Sequence, residues 1–417
     1  TDGCDHGRLG ISNGKFFERV WSTVCSSQHG GGLGKIKIMH LSDLHIGIKL
    51  MNYDLKEEQQ YVFQQIIEYA KEERPDAVLI AGDIYDKSIP GAEAVELLDQ
   101  FVTSLHEALP EGQIMMISGN HDSQQRVDCY RGLLRRQNIH MVGMPPRTPE
   151  EKIEKIVMKD SFGEVNFYLL PFVKPVMVRQ VLELEEEKER LTYEQTLTAL
   201  LQREEVDEKV RNVLVSHQFY LPAGKTPEDI SRMDSEICTA GNIDAISADC
   251  LDLFDYVALG HIHKPMKVGK DTIRYCGTPY PYSVEEGTQQ KGVILAELGA
   301  KGEKIITSVL PLNPWHRVRE IKGTFAQICG QACDDYVRVV LQGKEEESST
   351  EVSEKLHLSF PHLLEIRREQ KEERKSTDSQ DIEPARDPME MCRLFLGEID
   401  EEEESILQDV INTVKGV

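Results

Sequence analysis

Five short apolar runs in this chain each end on a cluster of Asp, Asn or His. With their ends they read "IKIMHLSDLH", "AVLIAGD", "QIMMISGNHD", "NVLVSH" and "FDYVALGHIH". Each run has the length of a strand and is apolar almost throughout, the pattern of a strand covered on both faces. Between them, "LKEEQQYVFQQIIEYAKEE" places Tyr61, Val62, Ile66, Ile67 and Ala70 at helical spacing, and "GAEAVELLDQFVTSLHEAL" reads as a second helix. "VDCYRGLLRRQ" predicts another helix, "VNFYLLPF" another strand, and the charged connection over 180–210 a further helix. Buried strands alternating with helices predict a layered α/β domain.

Composition narrows the class. The 417 residues are 40% hydrophobic and 29% charged, enough for a substantial core. At about 150 residues per domain the chain has room for two or three. No apolar run approaches the ~18–20 residues that span a bilayer. The N-terminus lacks the basic, apolar and small-residue regions of a signal peptide, so the cytoplasm is the expected compartment. Nine cysteines, none in a C-x-x-C pair, predict free thiols rather than a disulfide framework or a zinc-thiolate site. The net charge of −24 argues against a chain that coats nucleic acid unaided, because nonspecific DNA affinity comes mainly from Lys and Arg. Bound divalent cations would reverse the field at one site, and a basic partner could supply the rest.

Residues 1–35 have few periodic apolar positions and read as a disordered leader or an extension, with the ordered chain starting at Ile36. The strand and helix alternation fills 36–283. Past "GTPYPYS" the character changes: "KGVILAEL", "KIITSVLPL", "HRVREI" and "DDYVRVVLQ" predict a smaller α+β capping domain over 284–370. Residues 371–385 are polar, charged and aperiodic, and read as a linker. Residues 386–417 hold two amphipathic helix patterns, one marked by Met389, Met391, Leu394 and Phe395, the other by Ile406, Leu407, Val410, Ile411 and Val414. Such a pair must dock on its own chain or on a partner.

The polar clusters carry the chemistry. They supply Asp43 and His45, then Asp83, then Asn120, His121 and Asp122, then His217, then His261 and His263. Open α/β sheets bind ligands beyond the carboxyl ends of their strands, so five strand ends can deliver these groups to one place. In extended backbone, residues i and i+2 point the same way, which would put Asp43 beside His45 and His261 beside His263. Carboxylates, imidazoles and one amide oxygen, without thiolate, suit Mn²⁺, Fe²⁺ or Zn²⁺. Seven such ligands exceed one ion and suit two, about 3.5–4 Å apart with a bridging carboxylate. Taken singly, each cluster has an ordinary explanation, such as a helix N-cap for an Asp after a strand. The full set, in order and with complementary donor types, does not.

The order D-x-H, G-D, G-N-H-D, H, G-H-x-H resembles the calcineurin-like metallophosphoesterases. "IMHLSDLHIGIKL", "DAVLIAGDIYDKSIP", "ISGNHDS" followed by Arg126, "LVSHQFY", and "FDYVALGHIHKP" followed by "YCGTPYPYS" are similar to the SbcD-type double-strand-break repair nucleases within them, across 36–417. The resemblance implies a layered metallophosphoesterase sandwich with a small α+β capping domain and a C-terminal helical pair. It implies two divalent ions, with Mn²⁺ expected. Asp43, His45, Asp83 and His263 would hold one, and Asp83, Asn120, His217 and His261 the other, with Asp83 bridging. His121 would be the general acid on the leaving 3′ oxygen, and Asp122 would orient its ring.

The resemblance also implies 3′–5′ exonuclease action on duplex DNA and endonuclease action on single-stranded or hairpin DNA, in repair, recombination and replication. The partner implied is an SbcC-like coiled-coil ATPase docked through 386–417, with a homodimer of this chain inside a heterotetramer, associated with the nucleoid when active. Arg126, Arg131, Arg135 and Arg136 either contact DNA phosphates or form a solvated helix face. The chain departs from the pattern at residues 1–35, which have no counterpart, and at Met266, where related sequences often carry Gln. Two rival readings keep the same fold: a phosphomonoesterase or small phosphodiesterase with the same metal core, and a metal-less binding scaffold.

Overall fold

The computed structural model describes residues 34–183, 191–222, 224–226, 244–343 and 349–369, with Leu407 beyond them. Residues 1–33 of the leader expected over 1–35, the linker over 371–385 and, Leu407 apart, the helical pair over 386–417 lie outside the described residues. The chain divides into two units, Thr1–Arg368 and Glu369–Val417.

The first unit opens with β1 (Ile36–Leu41), α1 (Lys56–Glu73), β2 (Ala77–Ala81), α2 (Ala92–Ala108), β3 (Gln113–Ile117) and β4 (Ile139–Val142). Then come β5 (Glu154–Asp160), β6 (Gly163–Leu170), α3 (Tyr193–Gln202), β7 (Arg211–His217), β8 (Tyr256–Gly260), β9 (Met266–Val268) and β10 (Lys270–Tyr275). The last are β11 (Gly292–Leu298), β12 (Ile306–Pro311), β13 (Val318–Gly323), α4 (Phe325–Cys329), β14 (Tyr336–Leu341), α5 (Ser349–Ser359) and β15 (Leu363–Arg368).

Two six-stranded sheets run β12-β11-β1-β2-β3-β4 and β9-β10-β8-β7-β6-β5. Ile38, Leu79, Met115 and Ile117 of the first pack against Phe167, Leu169, Val213, Val215 and Ala258 of the second. Their outer faces are covered by α1 and α2 on one side and by α3 on the other. This makes the layered α/β sandwich that the sequence predicts. It also explains the apolar runs: every residue of β2, β7 and β8 is buried, because both faces of each strand are covered. Where α1 meets α2, Phe63 stacks on Phe101 with ring centroids 4.4 Å apart.

Parallel pairing positions the site. Leu41 pairs with Ile80, Ala81 with Ile117, and His217 with Gly260. The carboxyl ends of β1, β2 and β3 are therefore level in one sheet, and those of β7 and β8 in the other. All five end on the polar clusters.

Several expectations need correction. The strands "KGVILAEL" and "KIITSVLPL", expected in the capping domain, are β11 and β12. β11 pairs antiparallel with β1 and β12 with β11, so both extend the first sheet past residue 283. The small unit starts only at Val318, as a parallel sheet β13-β14-β15 with α4 and α5 packed on it. The helix expected over "VDCYRGLLRRQ" is broken into turns at Gln124–Val127, Arg131–Leu134 and Arg135–Gln137, because Tyr130 takes a left-handed φ of 59°. On α1, Tyr61 faces solvent, and Phe63 fills the core instead. The connection over 180–210 yields one described α-helix, α3, started by a capping box between Thr192 and Gln195. Among the described residues no helix is long and apolar enough to cross a membrane, and Cys129, Cys250, Cys276, Cys329 and Cys333 are free thiols.

Candidate metal centre

The site begins with strained backbone. Asp43, His45, Asp83 and His261 all have positive φ, at 52°, 43°, 47° and 103°. Non-glycine residues in such regions cost about 1–3 kcal/mol each and persist where surrounding structure imposes them. Here the imposing contacts are cross-links between strand ends: Asp43 N–H donates to Gly82 O (3.1 Å), and His45 N–H to Asp83 O (2.9 Å). Two glycines make room. A Cβ at Gly82, itself at φ +88°, would fall on the His217 ring, and one at Gly119 would fall on the Asp83 carboxylate. Asp43 and His45 thus converge through left-handed turns rather than through the extended i, i+2 geometry.

Asp83 sits at the middle. Its Oδ1 accepts from the backbone N–H of His121 at 2.9 Å. Its Oδ2 lies 3.3 Å from His217 Nε2 and 3.6 Å from His45 Nε2. On one side, His45 Nε2 meets His263 Nε2 at 3.1 Å, and ligand atoms of Asp43, His45 and His263 all fall within 4.8 Å of one another. On the other, Asn120 Oδ1 lies 3.0 Å from His217 Nε2 and 2.9 Å from His261 Nδ1. The structure therefore brings all seven predicted ligands together. His261 faces Asn120 and His263 faces His45, so the i, i+2 geometry that would put the pair on one side fails, while each lies in the donor group that the resemblance implies.

The tautomers follow from outer partners. A carbonyl oxygen only accepts, so the ring nitrogen facing one carries the proton. His217 Nδ1 faces Ala81 O at 2.7 Å, so Nε2 is the nitrogen turned towards Asp83 and Asn120 and the one a cation would take. His121 Nδ1 faces Asp86 O at 3.0 Å, which leaves its Nε2 for substrate.

Charge and unmet valence fit a divalent cation. Asp43 Oδ2 and His45 Nδ1 are buried without a hydrogen-bond partner. Burial and the neighbouring imidazoles hold the His45 pKa well below its usual value; the Asp83 charge only partly offsets this. Burial opposes charge on His217 too, yet the Asp83 and Asp43 carboxylates raise it to about 9. The carboxylates thus draw positive charge to the point a cation would occupy. Imidazole and carboxylate donors without thiolate match a hydrolytic divalent ion.

Asp122 differs from expectation. Its carboxylate does not hold the His121 ring. It accepts three backbone N–H groups, from Ile84 (3.0 Å), Tyr85 (2.9 Å) and Gly119 (2.9 Å). The ring is held by the Asp86 carbonyl instead. Asp122 therefore ties the loop after β2 to the loop after β3, a task its short, acceptor-only side chain suits.

Sequence reasoning also missed two acidic residues. Asp86 places a carboxylate oxygen 4.0 Å from His45 Nδ1 and joins His45 and His121 in a third group of close ligand atoms. Glu286, fully buried, lies 3.3 Å from His263 Nδ1. Asp86 stood inside "GDIYD", three residues past the ligand; Glu286 follows no apolar run. The four arginines divide. Arg131 bonds Asp128 (3.1 Å) and Glu154 (2.9 Å), and Arg135 pairs with Glu154 (3.2 Å). Arg126 and Arg136 are exposed and make no ion pair among the described residues.

Comparison with known proteins bears on this centre. The calcineurin-like phosphoesterase family model matches residues 36–265. The chain is 30% identical over 336 residues to the D subunit of nuclease SbcCD from Staphylococcus saprophyticus, across 79% of this chain and 80% of that protein. Among solved structures it is similar to the GAP50 anchor in the inner membrane complex of Plasmodium, at 13% identity and TM-score 0.38, over 80% of this chain and 96% of that one. It is also similar to a dimetal phosphatase from Danio rerio, at 16% identity and TM-score 0.39, over 67% and 99% of the two chains. At that distance neither structure bears on activity.

Proposed function

This chain belongs to the calcineurin-like phosphoesterase family, and we propose that within it the protein acts as a divalent-metal-dependent DNA nuclease. Membership makes it a hydrolase of phosphoester bonds. The observation that carries the finer reading is the place of Asp83, with one oxygen near both His45 Nε2 and His217 Nε2. One carboxylate is thereby shared by two donor groups. Asp43, His45, Asp83 and His263 would hold a first ion, and Asp83, Asn120, His217 and His261 a second. Bound there, two ions would clamp the phosphate oxygens, supply the nucleophile near neutral pH and stabilise charge in an in-line displacement. The imidazole-rich set favours Mn²⁺ over Mg²⁺, which prefers oxygen ligands and retains its water.

The chain's own residues do the remainder. His121, with Nδ1 committed to the Asp86 carbonyl, carries the transferable proton on Nε2 and delivers it to the leaving 3′ oxygen. Arg126 and Arg136, both exposed, offer charge to DNA phosphates. At −24 overall the chain alone holds duplex DNA weakly at physiological salt. We therefore assign processive 3′–5′ duplex degradation to a complex with an SbcC-like coiled-coil ATPase docked on 386–417, and endonuclease action on single-stranded or hairpin DNA to the same centre. The relative's name, which makes it one subunit of the SbcCD nuclease, supports this. The β13-β14-β15 unit then serves as the capping domain, and two copies of the chain form the dimer within the heterotetramer.

The test supplies metal-stripped protein with Mn²⁺, with and without the co-purified ATPase, and offers duplex DNA, bis-p-nitrophenyl phosphate and p-nitrophenyl phosphate. The diester and DNA should be cut, and processive duplex digestion should need the ATPase and ATP. Hydrolysis confined to the monoester would overturn the nuclease reading in favour of a phosphatase.

A further inference from the structure

An imidazole that ligates a metal needs a partner on its other nitrogen to keep its tautomer and aim. At His217 that partner is a backbone carbonyl. At His263 it is a side chain far along the chain. His263 Nδ1 lies 3.3 Å from Glu286 Oε1, while its Nε2 faces His45 Nε2 at 3.1 Å. Glu286 is fully buried, and its other oxygen accepts from Thr278 Oγ1 at 2.8 Å and from Lys291 Nζ at 2.7 Å. Lys291, also buried, donates in addition to the backbone carbonyl of His263 at 2.9 Å. One ion pair therefore grips His263 at both its ring and its backbone.

Stability alone is a weak reason for such a pair. A buried ion pair commonly loses to an apolar pair of the same volume, because desolvating two charges offsets their attraction. What the pair offers is a carboxylate of fixed orientation at the point where an imidazole needs an acceptor, and an ammonium that holds the carboxylate there. Resting on the reading of this centre as metal-binding, we propose that Glu286 and Lys291 are positioning residues that lock His263 in the Nδ1–H tautomer and aim its Nε2 at the cation position.

The experiment uses the full chain and the double variant Glu286→Met/Lys291→Met, which removes the acceptor at His263 Nδ1 and leaves no unpaired buried charge. Two readouts are taken: Mn²⁺ affinity and stoichiometry by calorimetric titration, and the His263 tautomer from long-range ¹⁵N–¹H correlations on metal-free protein. Wild type should take two equivalents and show His263 protonated at Nδ1. The double variant should bind one equivalent unchanged and the other about 10–100-fold more weakly, with the His263 tautomers mixed. A folded double variant that binds both equivalents with wild-type affinity would overturn the inference. So would a wild-type His263 protonated at Nε2, which needs no variant at all. Wild-type protein that takes up no Mn²⁺ would instead overturn the reading of the centre.

Discussion

His45 and His263 meet Nε2 to Nε2 at 3.1 Å, and both rings are buried. One shared hydrogen can bridge nitrogens at that separation, with one ring protonated at Nε2 and the other bare. A cation would replace that hydrogen, take both lone pairs and also meet the partnerless Asp43 Oδ2 of the same group. Metal removal should therefore destabilise the fold. Calorimetric melts in chelator and in Mn²⁺ check this: a site filled at 100 times its Kd adds about 2.7 kcal/mol. Identical melting temperatures in the two conditions would count against metal binding here.

His121 and Asp83 should separate chemistry from metal binding. His121 touches Asp83 through its backbone N–H, which a side-chain change leaves in place. His121→Ala should abolish hydrolysis and keep its metal, whereas Asp83→Ala should lose both. Elemental analysis of the two purified variants decides it. An empty site in His121→Ala would make His121 a ligand.

Asp122 should behave as a structural anchor. Asp122→Ala leaves the N–H groups of Ile84, Tyr85 and Gly119 without their acceptor. An unsatisfied buried donor costs about 1–3 kcal/mol, so denaturant unfolding should show a loss of at least about 2 kcal/mol. If Asp122 acted only by orienting His121, kcat would fall and the unfolding midpoint would stay put.

Cys276 and Cys250 should resist alkylation. Burial is the chief cause that pushes both thiols up to about 12, so almost none of either is thiolate at pH ~8. Cys129 is exposed and should react. Peptide mapping after brief iodoacetamide treatment reads the difference. Rapid labelling of Cys276 in native protein would show that the interior around β10 opens.

The strand ends were legible because burial on both faces leaves an apolar run, and a run that stops on Asp, Asn or His announces a site. The α/β class followed from the same runs. The boundary at 283 failed because the pairing of β11 with β1 joins segments distant in the chain, and no local pattern encodes it. Asp122 misled for a related reason. Its partners are backbone N–H groups, which no residue letter reveals, and the Asp86 carbonyl that holds His121 is equally invisible. Glu286 escaped notice because it acts across a fold-dependent contact on His263. The turn at Tyr130 escaped because its left-handed backbone sits on an ordinary residue type.

The central claim is that Asp83 bridges two ions within one centre. The most direct measurement is an anomalous difference map at the manganese absorption edge, from crystals of the full chain grown with Mn²⁺. Two peaks about 3.5–4 Å apart are expected. One should be bounded by Asp43, His45 and His263, the other by Asn120, His217 and His261, with Asp83 touching both. A single peak, or two peaks that Asp83 does not join, would contradict it.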